Sequence, residues 1–180
     1  MEEHRGQGVR MRDVAEAAGI SRQAVYDNFG SRAKLLVETT HYVDEIRGLA
    51  ELRRHFREAT TGVGRLEAYV GFWGNFIPEV YGMAKALLAV HETDEAAAAA
   101  WDDRMSAVRE SCRTTIEALH CDGMLAPEWS RDVAVDLMWT MLSIRNWEQL
   151  TIECGWSTKQ YVSRMQKLLK LTLVRGPQGT

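Results

Sequence analysis

Arg22, Gln23, Tyr26 and Asn28 are the polar positions left facing outward when Val25 and Phe29 turn inward on one short helical stretch. Their chemistry suits the edges and backbone of a duplex. An arginine fork matches guanine O6 and N7, a glutamine carboxamide matches adenine N6 and N7, and a phenol or an amide can hold a phosphate. Ser21 stands where it can cap that stretch, leaving its first amides and the positive end of its dipole toward an anion. The alternative is a helical hairpin whose polar side simply faces water. Elsewhere the chain has no Gly-rich phosphate loop, no GxSxG elbow and no HExxH pair. His41, His55, His91 and His120 are scattered; His41 with Glu45 forms one helical pair, and His120, Cys121 and Asp122 could hold one edge of a metal. Lone histidines are more often structural. No enzyme, metal site or cofactor is expected.

The elements that must position Arg22 and Gln23 are legible around them. Ala15, Gly19 and Val25 have the spacing of a helix-turn-helix: a small residue where the second helix crosses, a glycine where the chain leaves the first helix left-handed, and an apolar anchor on the second. Val14, Ala18, Ile20 and Phe29 supply further apolar contact. Only three prolines interrupt the 180 residues, and no alternating β-branched run appears, so the chain reads as all-α. Caps and breakers predict helices over 11–18 and 22–29, and a long one from Ser31 bending near Gly48 and ending near 61–62. Others follow over 64–77, from Pro78 to about 91, from Asp94 to about 120, from Ser130 to about 154, and from Ser157 to about 174.

The composition is that of an ordinary globular chain, 46% hydrophobic and 26% charged. There is no long uncharged apolar run and no signal-like N-terminus, and three cysteines without CxxC spacing fit reduced thiols, so a cytoplasmic protein with no membrane partner is expected. The net charge of −3 hides an asymmetry: six Lys/Arg face three acidic residues between Arg5 and Lys34, leaving −6 for the remainder.

The string DVAEAAGIS, then Tyr26-x-x-Phe29, then a basic residue in Ser31-Arg32, resembles the DNA-binding region of the tetracycline repressor (TetR) family over about residues 8–36. The resemblance implies a dimeric, ligand-responsive repressor with a TetR-like body. By position it implies that Tyr26 and Arg32 clamp phosphates, that Arg22, Gln23 and Ala24 face bases, Ala24 by a methyl contact, and that Arg10 and Arg12 lie beside the backbone. Arg10 stands where that family usually has a hydroxyl cap. The family's first helix is the second departure: MEEHRGQGVR offers little apolar cover for Val14, Ala18, Val25, Phe29 and Leu35, which leads us to expect either chain upstream of Met1 or a loosened DNA-binding module.

In the remainder, Tyr69, Trp73, Phe76, Met83, Leu87, Met138 and Trp139 gather large, adaptable apolar side chains, with His91 and Arg145 as polar neighbours. Such a set can line a ligand cavity or form plain core, and the family resemblance tilts it toward a small apolar or amphipathic effector. The helix after Ser130 is apolar nearly all round. Val133, Leu137, Met141 and Ile144, with Tyr161, Met165, Leu168 and Leu169 on the last helix, are expected to meet a second copy in a four-helix seam, unless that helix is the buried centre of a monomer. The expectation is a helix-turn-helix region over 1–47 and a ligand-binding and dimerisation domain over 48–180. Together they would form a regulator released from a palindromic duplex operator by its effector. The competing reading is a helical ligand-binding or protein-interaction module with a degenerate helix-turn-helix that does not bind DNA.

Overall fold

Among the described residues, hydroxyl caps start most helices, and glycines in left-handed conformation follow three of them. The computed structural model describes residues 11–31, 34, 35, 37–39, 42, 56 and 58–176. Arg10, Arg32, His41, His55, the bend expected at Gly48 and the segment 1–10 bearing on the family's first helix lie outside the described residues. Helix α1 spans Met11–Ala18 and α2 spans Arg22–Phe29, at the expected bounds. Ser31 caps the residues that follow, its hydroxyl accepting from the Lys34 amide at 3.1 Å. Then come α3 (Gly62–Leu88), α4 (Glu95–Cys121), α5 (Arg131–Met141), α6 (Ile144–Glu148), a π-helical turn (Gln149–Glu153) and α7 (Thr158–Leu173). The fold is all-α, a helix-turn-helix with a larger helical body. Among the described residues there is no strand, only one antiparallel bridge between Leu125 and Val174, and no helix long and apolar enough to cross a membrane.

The chain divides into two compact units, one of residues 1–49 and 79–105, the other of 50–78 and 106–180. In the first, Met11, Ala15, Val25 and Leu35 form one buried cluster, and Leu87 with Ala97 forms another, covered by Ala86, Val90, Ala100 and Trp101. In the second, α3 contributes Leu66, Tyr69, Val70, Trp73, Phe76 and Ile77 to the core. Around them are buried Cys112, Ile116 and Leu119 of α4, Val135 and Met138 of α5, and Tyr161, Met165, Leu169 and Leu173 of α7. Residue 74 shows how close α3 and α7 run. A Cβ there would lie 2.7 Å from Val162 Cγ2 and 3.1 Å from the Tyr161 ring, so any side chain would force Val162 to shift. Ion pairs of Arg109 with Asp136 (2.5 Å) and Arg131 with Glu117 (3.1 Å) join α4 to α5 at the surface, where solvent screening leaves them little energetic weight.

Two helix boundaries differ from expectation. Pro78 does not open a new helix: α3 runs through it, and the Gly74 carbonyl simply forgoes the amide a proline cannot offer. The helix from Ser130 does not reach 154. It ends at Met141, and Ser143 caps a fresh start, its hydroxyl accepting from the Asn146 amide at 3.2 Å. Such a break exposes carbonyls, and side chains satisfy them: Asn146 donates to Thr140 O (2.6 Å), and the buried Trp73 indole donates to Leu142 O (2.6 Å).

Replacing Trp73 with Phe keeps an aromatic ring there and removes only the donor. The Leu142 carbonyl then stays buried without that bond, and stability falls by about 1–3 kcal/mol. A chemical-denaturation midpoint measures this, and an unchanged midpoint would show that the indole bond does not hold the break.

Candidate nucleic-acid interface

Helix α1 ends with Gly19 in the left-handed region at φ +66°. Two bonds close over it, Gly19 N–H to Glu16 O (3.2 Å) and Ile20 N–H to Ala15 O (3.0 Å), the paired pattern of a glycine-terminated helix. The chain thereby reverses within three residues, and Ser21, in extended conformation, starts α2 by accepting from the Ala24 amide at 3.0 Å. Val25, fully buried, meets Met11, Ala15 and Leu35, with Val14 and Phe29 packed beside them. With one side of α2 so committed, the other has no choice but to face out.

That outer side is pre-ordered. The Arg22 guanidinium lies 5.4 Å over the Tyr26 ring, with Nη2 3.5 Å from the phenol oxygen. Gln23 Nε2 donates to Asp27 Oδ1 at 2.8 Å, and Asn28 Nδ2 donates back to Ala24 O at 2.8 Å. Ser21, Arg22, Gln23, Tyr26, Asp27 and Asn28 are exposed and Ala24 is half-buried. Arg12 is exposed on α1, 3.8 Å from Asp13. The helix start keeps the Arg22 and Gln23 amides free of α-helical partners, since no carbonyl of α2 lies four residues before them. The face thus combines an anion-seeking helix end with a cation and amide edges, which is what a groove and its phosphates require. Asp27 was missed in the sequence reading. Its signal was there, four residues after Gln23, the spacing at which a glutamine and an aspartate meet on a helix.

The other expected site residues fall in both units. Tyr69, Trp73, Phe76 and Met138 are buried in the second, where Trp139 is half-buried beneath the Arg109 guanidinium (5.5 Å) and Arg145 is exposed. Phe76 stacks on Phe72 at 5.6 Å and tilts against Trp73 at 6.1 Å. In the first unit Leu87 is buried, Met83 half-buried, and His91 has Nδ1 2.9 Å from Leu88 O. Of the expected seam, Val133 and Leu168 are exposed and Leu137 and Met141 half-exposed. Ile144, Tyr161, Met165 and Leu169 are instead covered by their own chain. The reason is phase: the buried stripe of α7 runs through 161, 165, 169 and 173, so its outward apolar residues are Leu168 and the 74% exposed Leu171. Burial also pushes the Cys112 thiol from 9.0 up to about 12, against a smaller opposing effect of Tyr69, and raises Tyr161. Both are packing groups. Among the described residues no cluster of His, Cys, Asp or Glu could hold a metal.

The family model described as bacterial regulatory proteins, tetR family, matches residues 3–39, the span that contains α1, the turn and α2. In this segment the chain is similar to tetR-family regulators. No curated protein matches it in sequence. Solved structures extend the likeness to the whole fold. A transcriptional regulator of Saccharomonospora viridis in complex with choline is similar at TM-score 0.78 and 13% identity, over 93% of this chain and 88% of that one. The fatty acid degradation regulator FadR of Bacillus halodurans is similar at 0.73 and 15%, over 93% and 86%. A TetR transcription regulator of Haloarcula marismortui is similar at 0.71 and 16%, over 95% and 90%. The matched segment, residues 3–39, is of the kind found in DNA-binding transcriptional regulators.

The turn is the point where a small change should be felt most. A Cβ at residue 19 meets nothing within 4 Å, so Gly19→Ala costs only the left-handed backbone, about 1–2 kcal/mol. Amide exchange across residues 11–30 is expected to accelerate while α7 stays protected. Equal protection in both proteins would mean that the turn does not limit the module's stability.

Proposed function

We propose that this chain is a dimeric, cytoplasmic repressor that holds a palindromic duplex operator with α2 and releases it when a small apolar or amphipathic molecule binds the helical body. Residues 1–47 act on DNA and residues 48–180 bind the effector and the second copy. The observation that carries the DNA part is the exposed, pre-ordered face of α2, with Arg22 and Gln23 beside a capped helix start. Arg22, Gln23 and Ala24 meet bases, Tyr26, Arg32 and the α2 start meet phosphates, and Arg10 and Arg12 lie along the backbone.

The effector reading rests on the concentration of aromatic and Met side chains and on the resemblance to the family. Choline in the Saccharomonospora structure supports a small-molecule response for this fold. Release follows from linkage: an effector that binds better to the form with DNA-incompetent spacing of the two α2 helices draws the dimer off its operator. The second copy is proposed to meet the outward apolar residues Val133, Leu137 and Met141 of α5 and Leu168 and Leu171 of α7.

Selection of duplexes from a random pool by the intact protein tests the reading. Arg22→Ala should relax preference at one base pair by about 1–3 kcal/mol, while Arg32→Ala weakens all sequences alike. Absence of any selected site would favour the helical module that does not bind DNA. The seam is tested separately by Leu171→Glu, which places a charge where a partner would desolvate it and should yield folded monomers in sedimentation. A variant that stays dimeric, or an unmodified protein that is monomeric, contradicts the proposed seam.

A further inference from the structure

We infer that Asp27 is the positioning residue of the base-reading face: it turns the Gln23 carboxamide so that its carbonyl oxygen points away from Asp27 toward a base, which makes Gln23 a reader of exocyclic amines. The inference rests on the DNA-binding reading of α2 given above. Gln23 Nε2 lies 2.8 Å from Asp27 Oδ1, and both residues are exposed, one helical turn apart. A free glutamine amide can present either its oxygen or its nitrogen, and is therefore ambivalent toward bases. An ionised carboxylate only accepts, so the partner facing Asp27 has to be the nitrogen. The planar amide then sends Oε1 the other way. Its exposed acceptor complements the N6 amine of adenine or the N4 amine of cytosine, and is repelled by the O6 of guanine or the O4 of thymine.

The neighbouring side chains leave this orientation undisturbed. Arg22 is engaged with Tyr26, and Asn28 turns its nitrogen back onto the Ala24 carbonyl, so neither competes for the Gln23 amide. A carboxylate beside a phosphate backbone is unfavourable for generic DNA binding. Its place on this face is accounted for by what it does to Gln23.

The test uses the intact protein and duplexes derived from its selected site, with all four bases placed in turn at each position. Gln23→Ala identifies the base pair that Gln23 reads. At that pair the unmodified protein should prefer a base bearing its exocyclic amine over the same base with the amine deleted (purine for adenine, pyrimidin-2-one for cytosine) by about tenfold. Asp27→Glu, which keeps an acceptor-only group, should retain the preference. Asp27→Asn is nearly isosteric but lets either end of the Gln23 amide face it, and it should lose most of the preference, as should Asp27→Ala. A merely structural role for Asp27 would lower affinity for all sequences without touching this one ratio. The inference is overturned if Asp27→Asn and Asp27→Ala keep the full preference, if deleting the exocyclic amine at that pair leaves binding unchanged, or if Gln23→Ala changes no position. Should the unmodified protein select no sequence, the DNA-binding reading fails and takes the inference with it; selective binding with an unaltered Asp27→Asn profile overturns the inference alone.

Discussion

The contact of Val25 with Ala15 across the left-handed turn at Gly19 is the constraint on which the DNA-facing half depends. A glycine allows the reversal, a small residue allows the approach, and a branched apolar residue makes that approach favourable. Once Val25 is fully buried, the azimuth of α2 is set, and with it the exposure of Arg22, Gln23, Tyr26 and Asp27. Function on this face is therefore a by-product of packing on the opposite one. The side chains proposed to read DNA need contribute nothing to stability, which leaves them free to be chosen for chemistry.

The second unit follows a different logic, in which a buried polar group is satisfied over a long sequence distance. The break between α5 and α6 would leave the Leu142 carbonyl without a partner in the core, and Trp73, from a helix nearly seventy residues earlier, supplies the donor, while Asn146 satisfies Thr140 at the surface. The Trp73 indole is thus committed to the backbone as well as to the aromatic cluster with Phe76. Any effector reaching that cluster would contact a ring whose polar edge is already occupied.

What could be read from the sequence divides along the same line. Local chemistry was legible: Ser21 and Gly19 bracket α1 and α2 at their observed bounds, Gly123 ends α4, and Ser157 opens α7, though the reciprocal bond from Gln160 was not anticipated. Long-range packing was not. Pro78 reads locally as a helix start, yet Ile77 and Val80 on either side are buried and hold the helix through it. Ser143 with its cap was hidden inside a largely apolar stretch, and the partner that makes the break tolerable is remote in sequence. Four of the expected seam residues turned inward for a related reason: α7 is apolar on two adjacent stripes, and only the fold decides that 161, 165 and 169 turn inward while 168 and 171 turn out. In the site, the face of α2 was legible from the helix period, and the Gln23–Asp27 bond was within reach of the same rule.

The central claim is that the exposed side of α2 reads a duplex, and the salt dependence of binding tests it most directly. Titrations of the intact protein against its selected duplex and a scrambled one, over a series of salt concentrations, should show log K falling linearly with log salt, by about 0.9 per phosphate engaged, with a selectivity for the selected duplex that persists throughout. Binding that is insensitive to salt, or equal for the two duplexes at every concentration, would contradict the account.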